Sequence, residues 1–378
     1  MIAQPRPLIE VFADIPDFRK SKGKRHPLPA ILALACCAML CGDRSYSAIA
    51  EWGHIYGTQM VEALGFRHNT PCAATLFTIF RRLDCEAFEA NLGAWADSIV
   101  ATMPAAPQGP EEAMAVDGKT LRGSKKRGAP GTHLLSVLSH RLGITLAQQA
   151  LDVKTNAIKA IETVLEHLVL KGRVLTMEAL LTQREVAQRV VAEGGDYVMI
   201  VKDKQPKLKE EIELVVTLPP AGDRQEIVRT VDVGHGRIET RNLTTSEALV
   251  GYSDWPGMAQ VFEVGRHVIT KKTGKERMEV VYGVTSLSPQ QASPDRLLEL
   301  VRSHWHIENQ SHWVRDVTFD EDRSQVRSGH IPQLMAALRN TAIGLLRRAG
   351  YTNIAQACRQ MAAQPEKALA LVGIECEN

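Results

Sequence analysis

Residues 113–202 constrain the fold of this chain most, because their apolar stretches have lengths and periods that suit an α/β domain and little else. Short apolar runs at 113–116, 134–139 and 144–152 read as strands, and Gly143 suits a hairpin turn between the last two. Helical periodicity follows at 158–170, then a buried strand at 173–176, a helix at 183–192 and a strand at 197–202. Three strands, helix, strand, helix, strand is the resulting order.

That order is the one a ribonuclease-H-like α/β domain uses, a mixed sheet with helices on both faces, although periodicity alone leaves other α/β folds open. The chain's 378 residues and 44% hydrophobic content allow a substantial core and two or three domains. Residues 1–102 read as a helical N-terminal domain that could hold a DNA-binding helix-turn-helix or simply pack as helices. An apolar stretch at 28–40 is stopped by Gly42. Ser45 can cap a helix through Trp52, and Thr70 with Pro71 starts another reaching about Leu83. The run MPAAPQGPE at 103–111 reads as an interdomain linker. The catalytic-type domain then divides into 112–218, a β-rich insertion at 219–286 and a completion at 287–350. An amphipathic helix at 332–348 precedes a tail at 351–378.

Formal charge is only +2, yet basic residues cluster at 19–25, 119–127, 202–209 and 271–277, as a polyanion-binding surface requires. Each run taken singly also fits a solvated face. Seven scattered cysteines supply no paired CxxC for zinc and suit a reducing compartment. The apolar run at 30–41 is shorter than the roughly 20 residues of a membrane span. No secretory signal precedes it, so the expectation is a cytoplasmic protein without a membrane partner.

Ser293, Pro294 and Asp295 together start a helix, expected to run from 294 to 313 through the motif HWHIEN. At helical spacing Val301, Trp305, Glu308, His312 and Arg315 share a face. A Glu in that company either pairs with Arg302 or Arg315 or binds a metal. Trp305 and Trp313 read as core anchors in preference to base-stacking platforms. Asp316, Asp320, Glu321 and Asp322 read as a solvated acidic turn, one of which could support a metal site.

Asp117 ends the first strand, Glu178 follows a later one, and Glu308 lies on a subsequent helix, so all three can converge at one sheet edge. Carboxylates about 4 Å apart repel by roughly 4 kcal/mol per pair at an effective dielectric near 20. Such a trio is tenable when protonated or when it binds cations, and oxygen-only ligands suit Mg²⁺ or Mn²⁺. Two ions so held can activate water or a 3′-hydroxyl for attack on a phosphodiester, which implies nucleic acid as substrate.

Nearly the whole chain resembles the H-repeat-associated insertion-sequence transposases of the DDE superfamily. The resemblance lies in PDFRKSKGKRHPL, CGDRSYSAIAEWG, AVDGKTLRGS, GGDYVMIVKDKQP, HGRIETR and HWHIENQSHWVRDVTFDEDRSQVR. It implies a ribonuclease-H-like catalytic domain with a β insertion, metal-dependent cleavage at transposon ends and strand transfer into target DNA. By position, Asp117 matches the first metal-binding Asp and Glu308 the catalytic Glu. Glu178, in EALLTQ, stands where the family has its second Asp, which moves the carboxylate outward by about 1.5 Å. A misplacement of that size costs on the order of a hundredfold in rate. KDKQ at 202–205 departs from the family's Lys-Gly-Asn-Gln.

The matched motifs suggest Lys119, Arg122, His235, Arg237, Arg241 and Arg302 as contacts to DNA phosphates. The plainer alternative is that Arg237, Glu239 and Arg241 form ion pairs along one strand face, worth about 0–1 kcal/mol each if exposed. A zinc hydrolase built on His304, Glu308 and His312 lacks HExxH, and His306 with Glu308 lacks the PCxxC half of a deaminase site. The remaining rivals are a relic weakened by Glu178 that persists as a sequence-specific DNA-binding protein, and a nuclease without strand transfer. Pairing two transposon ends implies a homodimer on DNA.

Overall fold

β1 (Glu112–Thr120) anchors the architecture. β2 (His133–Ser139) runs antiparallel to it and β3 (Thr145–Leu151) antiparallel to β2, turned at Gly143, whose φ of +62° suits a residue without Cβ. On the other side β4 (Arg173–Met177) and then β5 (Asp196–Val201) are parallel. Four longer strands follow: β6 (Glu226–Gly234), β7 (Arg237–Ser246), β8 (Gln260–Thr270) and β9 (Glu276–Thr285). Residues 219–286 do not build a sheet of their own. β9 pairs antiparallel with β5, which extends one sheet to nine strands in the order β3-β2-β1-β4-β5-β9-β8-β7-β6. This computed structural model describes residues 5–56, 58–102, 112–151 and 157–375, so the expected linker at 103–111 lies outside them.

N-terminal to the sheet lie α1 (Leu8–Ala13), α2 (Leu28–Leu40), α3 (Tyr46–Ile55), α4 (Thr58–Ala63), α5 (Ala73–Phe80) and α6 (Cys85–Thr102). Ser45 caps α3 by accepting from the Ala48 amide at 3.2 Å, as its position predicts, whereas α5 begins two residues after Pro71. α2 is apolar on every side and almost wholly buried, because it is wrapped by other helices. Each Leu or Ile so enclosed contributes about 1.5–3 kcal/mol relative to exposure.

α7 (Ala157–Glu166) and α8 (Arg184–Ala192) cover one face of the sheet, and α9 (Pro206–Thr217) packs against β7–β9. α10 (Pro294–Ser303) covers the other face. Alternation along the strands shows this: Ala113, Val174 and Val198 pack with Leu297 and Leu298 of α10. Their neighbours Met114, Leu175 and Met199 join Val164 of α7 and Val190 of α8. The expected single helix over 294–313 is interrupted. α10 stops at Ser303, residues 304–305 turn, and a π-helical turn at Glu308–His312 leads into α11 (Trp313–Val317).

α12 (Ile331–Arg348), expected to be amphipathic, is buried along nearly its whole circumference. It lies between α2 and the β3–α6 side of the sheet, and α13 (Ile354–Ala363) and α14 (Pro365–Val372) return to α2. The N-terminal helices, the C-terminal helices and one sheet face therefore share a contiguous apolar core. No helix among the described residues is long and apolar enough to cross a membrane.

Candidate active site

Asp117 lies within β1, past the end of its pairing with β4, whose last partners are Val116 and Met177. Glu178 is the next residue on the β4 side. Parallel neighbours sit about 4.8 Å apart, so these consecutive positions bring Asp117 and Glu178 side by side at the strand ends. Residues 113, 115 and 117 alternate onto one face, where Ala115 packs with Leu138 and with Ile307. Ile307 immediately precedes Glu308, so the same face receives the third acid.

Electrostatics report the convergence. Burial raises the Asp117 carboxyl to about 6, opposed by a hydrogen bond from the Gly118 amide and reinforced by the fields of Glu178 and Glu308. Among the described residues no three or more His, Cys, Asp or Glu groups form a ready-made metal cage. Carboxylates are nonetheless the donor type a hard divalent cation takes, and a cation would relieve the fields that Glu178 and Glu308 exert on Asp117.

Local hydrogen bonds hold the segments that carry Glu178 and Glu308. The Glu178 carbonyl accepts from the Leu181 amide at 2.9 Å and from Thr182 Oγ1 at 3.3 Å, while Thr182 Oγ1 also reaches the Ile200 carbonyl at 2.6 Å. Gln205 Nε2 donates to the Thr182 carbonyl at 3.2 Å, so the KDKQ loop braces the EALLTQ turn. Buried Thr176 bonds His304 Nδ1 at 2.9 Å and His140 Nε2 at 3.0 Å, tying the turn before Glu308 to β4. Burial lowers the pKa of His304 and brings His140 down to about 3, so both stay neutral. His312 Nδ1 stands 3.5 Å from Asp117 Oδ2. Burial, with Arg315 and Lys119 nearby, takes its imidazole to about 3, so the contact brings Asp117 no countercharge.

Several expectations need correction. Trp305 and Trp313 are 51% and 58% exposed, not core anchors, because the break after α10 and the π-helical turn rotate them outward. Trp305 stands under the Arg266 guanidinium at 5.8 Å. Glu308 is exposed, while Arg315 is fully buried and pairs with Glu321, so these two do not meet as a helical face would require. The acidic turn is not simply solvated: Glu321 is buried between Arg315 and Arg339, at 2.6 and 2.9 Å. Lys119 is buried too, and its Nζ lies 2.6 Å from Asp316 and 3.8 Å from Asp322.

Among the other basic candidates, Arg122 is largely exposed beside Asp322, and His235 sits exposed in the β6–β7 turn at φ +47°. Arg237 and Arg241 do pair with Glu239, as the plainer alternative has it. Glu239 is buried and also binds Arg266. Arg302 pairs with Asp232. A cleft of about 630 Å³ begins at Glu178 and runs beneath α10; Lys202, Arg241, Arg266, Arg302 and Trp305 line it. Sequence reasoning missed Thr176, Thr182, His140, Arg266 and Arg339. Only Thr182, inside EALLTQ, lay in a motif already singled out.

The strand-end positions of Asp117 and Glu178, with Glu308 on the covering helical segment, set the frame for comparison with known proteins. The family described as transposase DDE domain matches residues 108–345, and the one described as DDE_Tnp_1-associated matches 9–96. The chain is 29% identical over 354 residues to "Putative transposase YncI" of Escherichia coli O157:H7, covering 90% of this chain and 87% of that protein. It is 27% identical over 348 residues to "H repeat-associated putative transposase YhhI" of Escherichia coli strain K12, covering 90% of each. The chain thus belongs to the H-repeat-associated family of DDE transposases. A synaptic complex of piggyBac transposase with hairpin DNA aligns with 96% of this chain and 76% of its own at 9% identity. Its TM-score of 0.43 is too low to support any argument.

Proposed function

We propose that this transposase cuts DNA at the ends of a mobile element and joins them to target DNA, using Asp117, Glu178 and Glu308 as its acidic trio. The observation that carries this is geometric: the β1–β4 pairing ends at Val116 and Met177, the residues just before Asp117 and Glu178, and Ile307, just before Glu308, packs on Ala115, although 61 and 191 residues separate the two glutamates from Asp117. The strand order β3-β2-β1-β4-β5, with β1 antiparallel to β2 and parallel to β4, supports a ribonuclease-H-like core.

Mg²⁺ or Mn²⁺ held by the three carboxylates, two ions by analogy with other phosphodiester-cleaving sites, would supply the activation of the attacking oxygen and the stabilisation of the leaving one. The chain's own part is positional. Thr182 and Gln205 lock the turn bearing Glu178, Thr176 and His304 hold the helical segment bearing Glu308 against β4, and neutral His312 limits where Asp117 can swing. Arg122, His235, Arg237 and Arg302 are exposed, and the partly buried Arg241 opens onto the cleft, so all five can meet DNA phosphates. Lys119, with two aspartates around it, acts instead as a tie between β1 and α11. Transposition joins two ends, so the DNA-bound form is proposed to be a homodimer.

The test is to incubate purified protein with the DNA flanking its reading frame and Mg²⁺ or Mn²⁺. Nicked and joined products are expected, D117N and E308Q should remove them, and E178D should raise the yield by shortening the outlying carboxylate. No product from the wild type or from E178D would end the enzymatic assignment and leave a DNA-binding relic.

A further inference from the structure

Asp232 lies on β6, at the sheet edge, and its Oδ2 accepts a hydrogen bond from one arginine and forms an ion pair with another, the two coming from different elements. Arg241 Nη1 of β7 is 2.7 Å away and Arg302 Nη2 of α10 is 2.9 Å away. The guanidiniums are thus held as a fork around a single anionic oxygen. Both line the cleft whose inner wall carries Glu178. The neighbouring acid, Glu239, is 5% exposed and is a fixed counterion for Arg237, Arg241 and Arg266. Asp232 differs, being 49% exposed at the side chain. A half-exposed carboxylate in a salt-screened pair is held weakly, whereas a phosphate offers several oxygens to the planar donor forks of two arginines.

Resting on the assignment of DNA as substrate, we propose that Arg241 and Arg302 form a phosphate-binding subsite and that Asp232 is its resident anion, displaced when the DNA backbone enters the cleft. The exchange swaps one hard anionic oxygen for another and breaks no covalent bond. It makes Asp232 a brake on non-specific binding, because any phosphate reaching the fork must first compete with a tethered carboxylate.

The experiment measures anisotropy of a short fluorescein-labelled duplex of arbitrary sequence against the full chain over a range of salt, with D232N, R241Q/R302Q and the triple variant. E276Q is the control, since it removes the same charge from the same sheet at a residue 63% exposed and outside the cleft. D232N should bind more tightly than wild type. The slope of log K against log salt should steepen by about 0.9 for one further phosphate neutralised, a factor of about eight per decade of salt. E276Q should leave the slope unchanged, and D232N should add nothing in the R241Q/R302Q background. An equal gain from E276Q, a gain that survives loss of both arginines, or no gain with D232N in a normally folded protein would each overturn the resident-anion proposal. If the wild type still cleaves DNA in those cases, the enzymatic assignment stands. If neither wild type nor D232N binds duplex, the DNA assignment falls and takes this proposal with it.

Discussion

Replacing Asp117 by Asn should make the metal-free protein more stable at neutral pH while removing its chemistry. The Asp117 carboxyl titrates near 6 in the folded chain against an ordinary value of 3.8, chiefly through burial and then through Glu178 and Glu308. At about 1.4 kcal/mol per pH unit, that rise corresponds to about 3 kcal/mol. The sign follows from proton counting: between 3.8 and about 6 the folded state holds a proton that the unfolded state has lost, so stability falls as pH rises through this window. Asn has roughly the shape of the protonated acid and retains an oxygen for the Gly118 amide. The stability difference between D117N and wild type should therefore be small near pH 4 and reach up to about 3 kcal/mol above pH 6. Urea unfolding in chelator at a series of pH values measures it. Adding Mg²⁺ should narrow the gap by stabilising the wild type alone, since a cation relieves the repulsion that the substitution removes. If D117N is no more stable than wild type above pH 6, or the gap does not change with pH, Asp117 is not a buried carboxyl raised above its ordinary value; if Mg²⁺ leaves the gap unchanged, the three carboxylates do not share a cation and the proposed site is wrong.

Two further substitutions probe buried charge elsewhere. E321Q strands the guanidiniums of Arg315 and Arg339 without their counterion and should cost about 3–5 kcal/mol in urea unfolding at pH 7. Burial alone would raise Glu321, but the two arginines outweigh it and hold the carboxyl below its ordinary value. The wild type should therefore lose stability as pH falls from about 4.5 through that lowered value, and E321Q should lack this loss. Glu89 is the opposite case: burial raises it to about 8 despite hydrogen bonds from Gln148 and Gln333. The wild type should weaken as pH climbs from about 4.5 to 8 and E89Q should not; this window overlaps that of Asp117 up to about 6, so the loss between pH 6 and 8 is the part that reports Glu89.

Much of the fold was legible along the chain because strands, caps and turns are set by neighbours a few residues apart. The apolar runs at 113–116 and 134–139, Gly143 at its hairpin, Ser45 and Ser293 at helix starts, and the charged face of Arg237, Glu239 and Arg241 all act over short range. The candidate acids were nameable from the chain as well, since Asp117 and Glu178 follow apolar strand runs and Glu308 lies in the HWHIEN segment. What no local pattern carries is the outcome of long-range packing. Whether β9 would join β5, whether α12 would be enclosed on all sides, and whether Lys119 would face DNA or two aspartates depend on groups up to some two hundred residues away. The same holds for the π-helical turn, which re-aims Trp305, Glu308 and Arg315. Its extra residue per turn is offset by contacts of His304 with Thr176 and of Arg315 with Glu321, not by any preference in HWHIEN itself. Residue types thus determined which groups were available for chemistry, and packing determined which of them meet.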